Sequence, residues 1–96
     1  MSTGPDPSTV VRRGDRALAE QVGGETVLLD AEGDVYLRLN PSGSRLWEAL
    51  ESPTTVAELA AVLERGYDLE AGVALADTLA FVVAMSDRGL IEAGGL

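Results

Sequence analysis

At 96 residues the chain has the length of one domain, and its net charge of -9 argues against non-specific attachment to nucleic acid or to an anionic membrane surface. It contains neither cysteine nor histidine, which excludes disulfides, thiolate and zinc sites, and hydrolytic triads. No Asp/Glu cluster has the spacing of a calcium loop, so no metal and no other cofactor is expected.

The N-terminal stretch "MSTGPDPSTVVRRGD" is polar, with Gly and Pro, and lacks the apolar region of a signal peptide. Residues 1–14 are expected to be a disordered tail, with Arg12 and Arg13 in it, and residues 15–93 to be the folded domain. No apolar run approaches the roughly 18 residues needed to span a bilayer. The reading is of a cytoplasmic protein without a membrane partner.

Strand signals start after Arg16. "ALAEQV" alternates Leu18, Glu20 and Val22, and Gly23-Gly24 reads as a turn. "ETVLLDA" is a stronger strand from Thr26 to Asp30, and "AEGD" at 31–34 holds a second turn at Gly33. "DVYLRL", residues 34–39, follows, with Val35, Leu37 and Leu39 on one face and Tyr36 and Arg38 on the other. Three antiparallel strands in a meander are expected. The last of them is read as an edge kept free for a guest.

Helical patterns come next. Asn40 or Ser42 caps the first, with Leu46, Trp47 and Leu50 as its buried stripe and Trp47 as the core anchor. Thr54 or Thr55 caps the second, and Thr55 with Glu58 fits a capping box; Val56, Leu59, Ala60 and Leu63 form its stripe, and Gly66 is expected to end it. The third spans about Glu70 to Arg88, with Gly89 as its stop and Leu90 and Ile91 as a short apolar clamp. The fold class is therefore α+β: a three-stranded antiparallel sheet followed by a three-helix bundle, winged-helix-turn-helix-like with the sheet moved to the front.

The third helix is apolar almost all round. Ala74, Thr78, Phe81 and Met85 share one face at 100° per residue. Leu75, Leu79, Val82 and Ser86 form a second stripe, extended by Val83 and Ala76, and Asp77 is the only charge between Val73 and Met85. Such a helix is normally buried all round. Two readings stay open. Either the sheet covers one stripe and the first two helices the other, or Leu75, Leu79 and Val83 border a groove beside the edge strand.

The series "VLLD", "GDVYLRLNPSGSRLWEAL", "TVAELAAVLERGYDL", "ADTLAFVVAMSDRGLI" resembles the PqqD-like family, the recognition elements of ribosomally made, modified peptides. A strand ending in Leu-Asn, a Gly three residues on and an aromatic in "LW" match Leu39, Asn40, Gly43, Leu46 and Trp47. Thr-x-x-Glu-Leu matches Thr55, Glu58 and Leu59. The Asp placed twelve before the final Gly-Leu matches Asp77, Gly89 and Leu90, with Phe81 at the usual Phe. The resemblance covers roughly residues 16–92 and is most like the stand-alone leader-binding proteins of lasso-peptide pathways, not fused to an enzyme.

That resemblance implies binding of a precursor's leader peptide by strand addition to the third strand, in the cleft against the third helix. The implied contacts are Asp34, Val35, Tyr36, Leu37 and Arg38 on the strand and Leu75, Leu79, Val82 and Val83 on the helix. The implied further partners are a separate leader peptidase of the cysteine-protease type and the ATP-dependent cyclase, to which the leader would be delivered. Leu79 and Val83 depart from the family, standing where many relatives carry polar residues.

The physics points the same way: an unpaired edge offers N–H and C=O groups to an extended peptide, and an apolar pocket reads alternate side chains. A winged-helix DNA-binding module or another protein-interaction module is the alternative. A DNA-reading helix should be basic, whereas the second and third helices carry Glu58, Glu64, Glu70 and Asp77 against Arg65 and Arg88. An enzyme is the other alternative, but the pairs Glu48/Glu51 and Glu64/Asp68 read as solvated helix faces. No catalytic residue is expected.

Overall fold

The structure is a computed structural model that describes residues 4–15, 17–29 and 35–94. Its class is α+β, with three helices and two small antiparallel sheets among the described residues.

The expected meander is present as β2 (Leu18–Val22), β3 (Glu25–Leu29) and β4 (Val35–Leu39), in that spatial order. Val22 pairs with Glu25, so Gly23 and Gly24 form a two-residue loop, and both have positive φ (60° and 86°). That is the type I′ geometry whose twist suits a tight hairpin and which glycine adopts without strain. The expected second turn at residues 31–34 lies outside the described residues.

The expected disordered tail over 1–14 needs correction. Val10–Arg13 is a strand, β1, at the centre of a second sheet in the order β5-β1-β6. β5 (Thr54–Thr55) and β6 (Ile91–Ala93) flank it, with Val11 opposite Thr54 on one side and Ala93 on the other. Val11 is fully buried. Further N–H groups seal the segment: Val56 donates to the Thr9 carbonyl and Ala57 to that of Pro7, both at 3.0 Å. Four residues of "VVRR" carry too little periodicity to announce a strand; partners from the far end of the chain create it.

Gly14, just past β1, lets two backbones meet. Its N–H donates to the Leu90 carbonyl at 2.9 Å, and a Cβ there would lie 2.8 Å from the Gly89 carbonyl oxygen. Gly14→Ala should therefore cost about 1–3 kcal/mol, because rigid backbone has to move. Urea denaturation checks this. An unchanged midpoint would show that the β1–β6 junction yields freely.

The helices follow their caps. α1 (Pro41–Ala49) is capped by Asn40, whose Oδ1 accepts from the Gly43 N–H at 2.7 Å, with Pro41 in the first turn. α2 (Val56–Tyr67) has the expected capping box: Thr55 Oγ1 accepts from the Glu58 N–H, and the Glu58 carboxylate accepts from the Thr55 N–H, each at 3.2 Å. Gly66 does not end α2. The helix runs on through Tyr67 and stops at Asp68, which takes the left-handed conformation at φ 54°. Aspartate tolerates that region better than most side chains. α3 (Ala71–Asp87) ends near Gly89, at φ 75°.

The core lies among these elements. Leu28 and Leu39 from the meander meet Leu46, Trp47 and Leu50, then Val56, Leu59 and Leu63, then Ala74, Val82 and Met85, closed by Leu90 and Ile91. Trp47 is buried and Arg13 covers it. The guanidinium carbon stands 4.7 Å from the ring centroid, and its Nη2 donates to the Trp47 carbonyl at 2.6 Å. The last turn of α1 holds no basic residue, so Arg13 brings a cation to that end of the helix from β1.

Candidate peptide-binding edge and cleft

β4 pairs with β3 and with no other strand among the described residues, so its second edge is open. Asp34 lies outside the described residues. Val35 pairs with Leu29 and Leu37 with Leu28, so Tyr36 is an extra residue in the ladder, a bulge opposite the Leu28/Leu29 step. Bulges increase local twist and re-aim a strand, and they recur beside functional sites. Leu37 is half-buried against the core and Leu39 is buried, as the alternation requires. Arg38 points away from the core, with its Nη1 3.2 Å from a Glu25 carboxylate oxygen. Both side chains are exposed, so that pair contributes little stability.

The strand stops at Asn40, and the cap that starts α1 places its end beside α3. Asn40, Ser42 and Leu46 share a depression of about 390 Å³ with Leu63 of α2 and with Asp77, Ala80 and Phe81 of α3. Its wall is apolar at Leu46, Leu63, Ala80 and Phe81 and carries one carboxylate, Asp77. An extended peptide on the β4 edge that continued past Asn40 could place an apolar side chain here.

The helix residues expected from sequence fall elsewhere. The buried stripe of α3 is Ala74, Thr78, Val82 and Met85. Val82 has no exposed surface, so it supports the helix from within the core and is corrected as a contact residue. Leu75 and Leu79 are half-buried and packed against the core. Val83 is 45% exposed and opens on a different depression, of about 590 Å³, with Thr9, Ser86, Asp87 and residues 91–94. At 100° per residue Asp77, Ala80 and Phe81 lie on one flank of the buried stripe and Leu75, Leu79 and Val83 on the other. The flank beside Asn40 is thus the one carrying Asp77, which the sequence marked as the helix's only mid-length charge, and Phe81. Among the described residues no group of three His, Cys, Asp or Glu side chains could hold a metal ion.

The family model for coenzyme PQQ synthesis protein D (PqqD) matches residues 25–91, well over half of the chain. The chain belongs to the PqqD family. No curated protein matches it significantly. Among solved structures, the PqqD-family chain is similar to TbiB1 in complex with the TbiA(beta) leader peptide. The identity is 24% and the TM-score 0.74, over 84% of this chain and 94% of that one. It is also similar to a lasso peptide synthetase B1 complexed with a leader peptide, with 24% identity and a TM-score of 0.72 over 85% of this chain and 96% of that one. A third is the PqqD truncation of Methylobacterium extorquens PqqCD, a stand-alone recognition element for ribosomally synthesised and modified peptides. There the identity is 21% and the TM-score 0.73, over 94% of this chain and 93% of that one. At these identities the likeness establishes the PqqD-like fold.

Proposed function

We propose that this protein binds the leader segment of a ribosomally synthesised precursor, of the lasso-peptide kind, and catalyses nothing itself. The leader adds as a strand to the open edge of β4 at residues 35–38 and continues into the cleft against α3. The observation that carries the reading is that open, bulged edge of β4, running into a depression lined by Ala80 and Phe81 beside the polar Asn40, Ser42 and Asp77, in a PqqD-family chain. Two of the structures it resembles hold leader peptides, which supports the same ligand class here. Phe81, Ala80 and Asp77 are added as contacts on α3; Leu75, Leu79 and Val83 stand as the competing flank. With neither His nor Cys in the sequence, cleavage and cyclisation fall to separate cytoplasmic partners, a cysteine protease and an ATP-dependent cyclase, to which the bound leader is presented.

Titrating a fluorescent leader from the precursor encoded nearby should give saturable binding at micromolar Kd or tighter, about -8 kcal/mol or better. Ala80 is exposed, so Ala80→Glu should leave thermal unfolding unchanged and weaken binding at least about ten-fold, roughly 1.4 kcal/mol. If Leu79→Glu weakens binding in folded protein while Ala80→Glu does not, the leader lies on the other flank. Absence of saturable binding to that leader refutes the function itself.

A further inference from the structure

Among the described residues the meander has two open edges. Among the described residues β2 pairs only with β3, and all five of its residues are exposed, Leu18 at 50% and Val22 at 48%. The pairing shows which way they face. Ala19 and Gln21 stand opposite the buried Leu28 and Thr26. Leu18, Glu20 and Val22 therefore lie on the opposite face, next to the half-buried Leu29, the buried Val27 and the exposed Glu25.

Exposed edges are usually blunted by a lysine, a proline, a bulge or a covering loop. β2 holds neither lysine nor proline, and its five pairs with β3 run in unbroken register. Its single charge, Glu20, sits midway between two exposed aliphatic side chains. That spacing also decides against a second copy of this chain. The two-fold antiparallel self-pairing that overlaps all five residues of β2 would match Leu18 with Val22 but set two Glu20 carboxylates directly opposite, between chains each carrying -9.

We propose that β2 is a second docking edge, and that its occupant is an extended strand of a separate protein with an apolar, basic, apolar alternation. The apolar residues lie across from Leu18 and Val22, and a lysine or arginine lies across from Glu20. β3 alone separates this edge from β4, so two guest strands would extend one sheet on opposite sides, with neither obstructing the other. This edge has its own geometry and holds whether or not β4 takes a leader.

The test uses the full chain, labelled with ¹⁵N, and two cyclic β-hairpin peptides that display Val-Lys-Val or Val-Glu-Val on their free edge. Cyclisation removes most of the ordering cost of an isolated strand. The lysine hairpin is expected to slow amide exchange across residues 18–22 and to bind at least ten-fold tighter than the glutamate hairpin. Glu20→Gln should erase that preference and Glu20→Lys should reverse it, with thermal unfolding unchanged because the side chain is exposed. Equal affinity for the two hairpins, protection confined to residues 35–39, or no binding of either hairpin overturns the proposal. So does self-association of the free chain with residues 18–22 protected, which would make a second copy the occupant.

Discussion

Trp47→Ala is expected to lower the unfolding free energy by about 3–5 kcal/mol, through lost transfer energy and the cavity left behind. A domain of this length holds about 5–15 kcal/mol in total, so much of the population should unfold under mild denaturant. The indole is 3% exposed and joins Leu46 of α1 and Leu50, just past its end, to the shared core. Its loss also removes the ring beneath the Arg13 guanidinium, 4.7 Å from the centroid, and so loosens β1. Urea denaturation followed by far-ultraviolet circular dichroism measures the change. A loss under about 1 kcal/mol would mean that the core does not rest on the indole.

The second large effect is expected at the β4 edge. Leu37 and Arg38 are successive residues paired with Leu28 and Val27, so one of the two N–H groups points at β3 and the other outward. Proline at the inward position removes a ladder bond and destabilises the sheet. Proline at the outward position costs an open edge little, yet it removes a donor and obstructs an incoming strand. One of Leu37→Pro and Arg38→Pro should therefore keep its fold and lose leader binding by about a hundred-fold, near 2.7 kcal/mol. In the unaltered protein the leader should slow amide exchange over residues 35–38 unevenly, the outward N–H groups responding most. Binding that leaves exchange there unchanged and survives both substitutions in folded protein rules out strand addition. The leader would then belong on α3.

Much of this molecule was legible as local chemistry. The Gly23-Gly24 loop, the Asn40 cap, the Thr55/Glu58 capping box and the alternation of Leu37 and Leu39 each depend on residues within a few positions of one another. Short-range hydrogen bonding and steric limits act the same way wherever the segment sits, so these features follow from the sequence by itself. Gly66 is the local exception: it sits within α2, against Arg45, whose side-chain carbon and nitrogen atoms come within 3.5 Å of where a Cβ would stand.

Tertiary structure decided the rest. β1 exists because Thr54–Thr55 and Ile91–Ala93 arrive on either side of it, and no property of "VVRR" encodes that meeting. The facing of α3 is the other case. Its apolar residues run nearly all round, so periodicity offered two adjacent stripes of similar quality. The packing of α2 and β6 against the helix selected Ala74, Thr78, Val82 and Met85. That choice buried Val82, put Val83 beside the small sheet, and left Asp77, Ala80 and Phe81 next to the end of β4. An amphipathic helix carries its orientation in its own pattern; one apolar on most sides takes it from its neighbours.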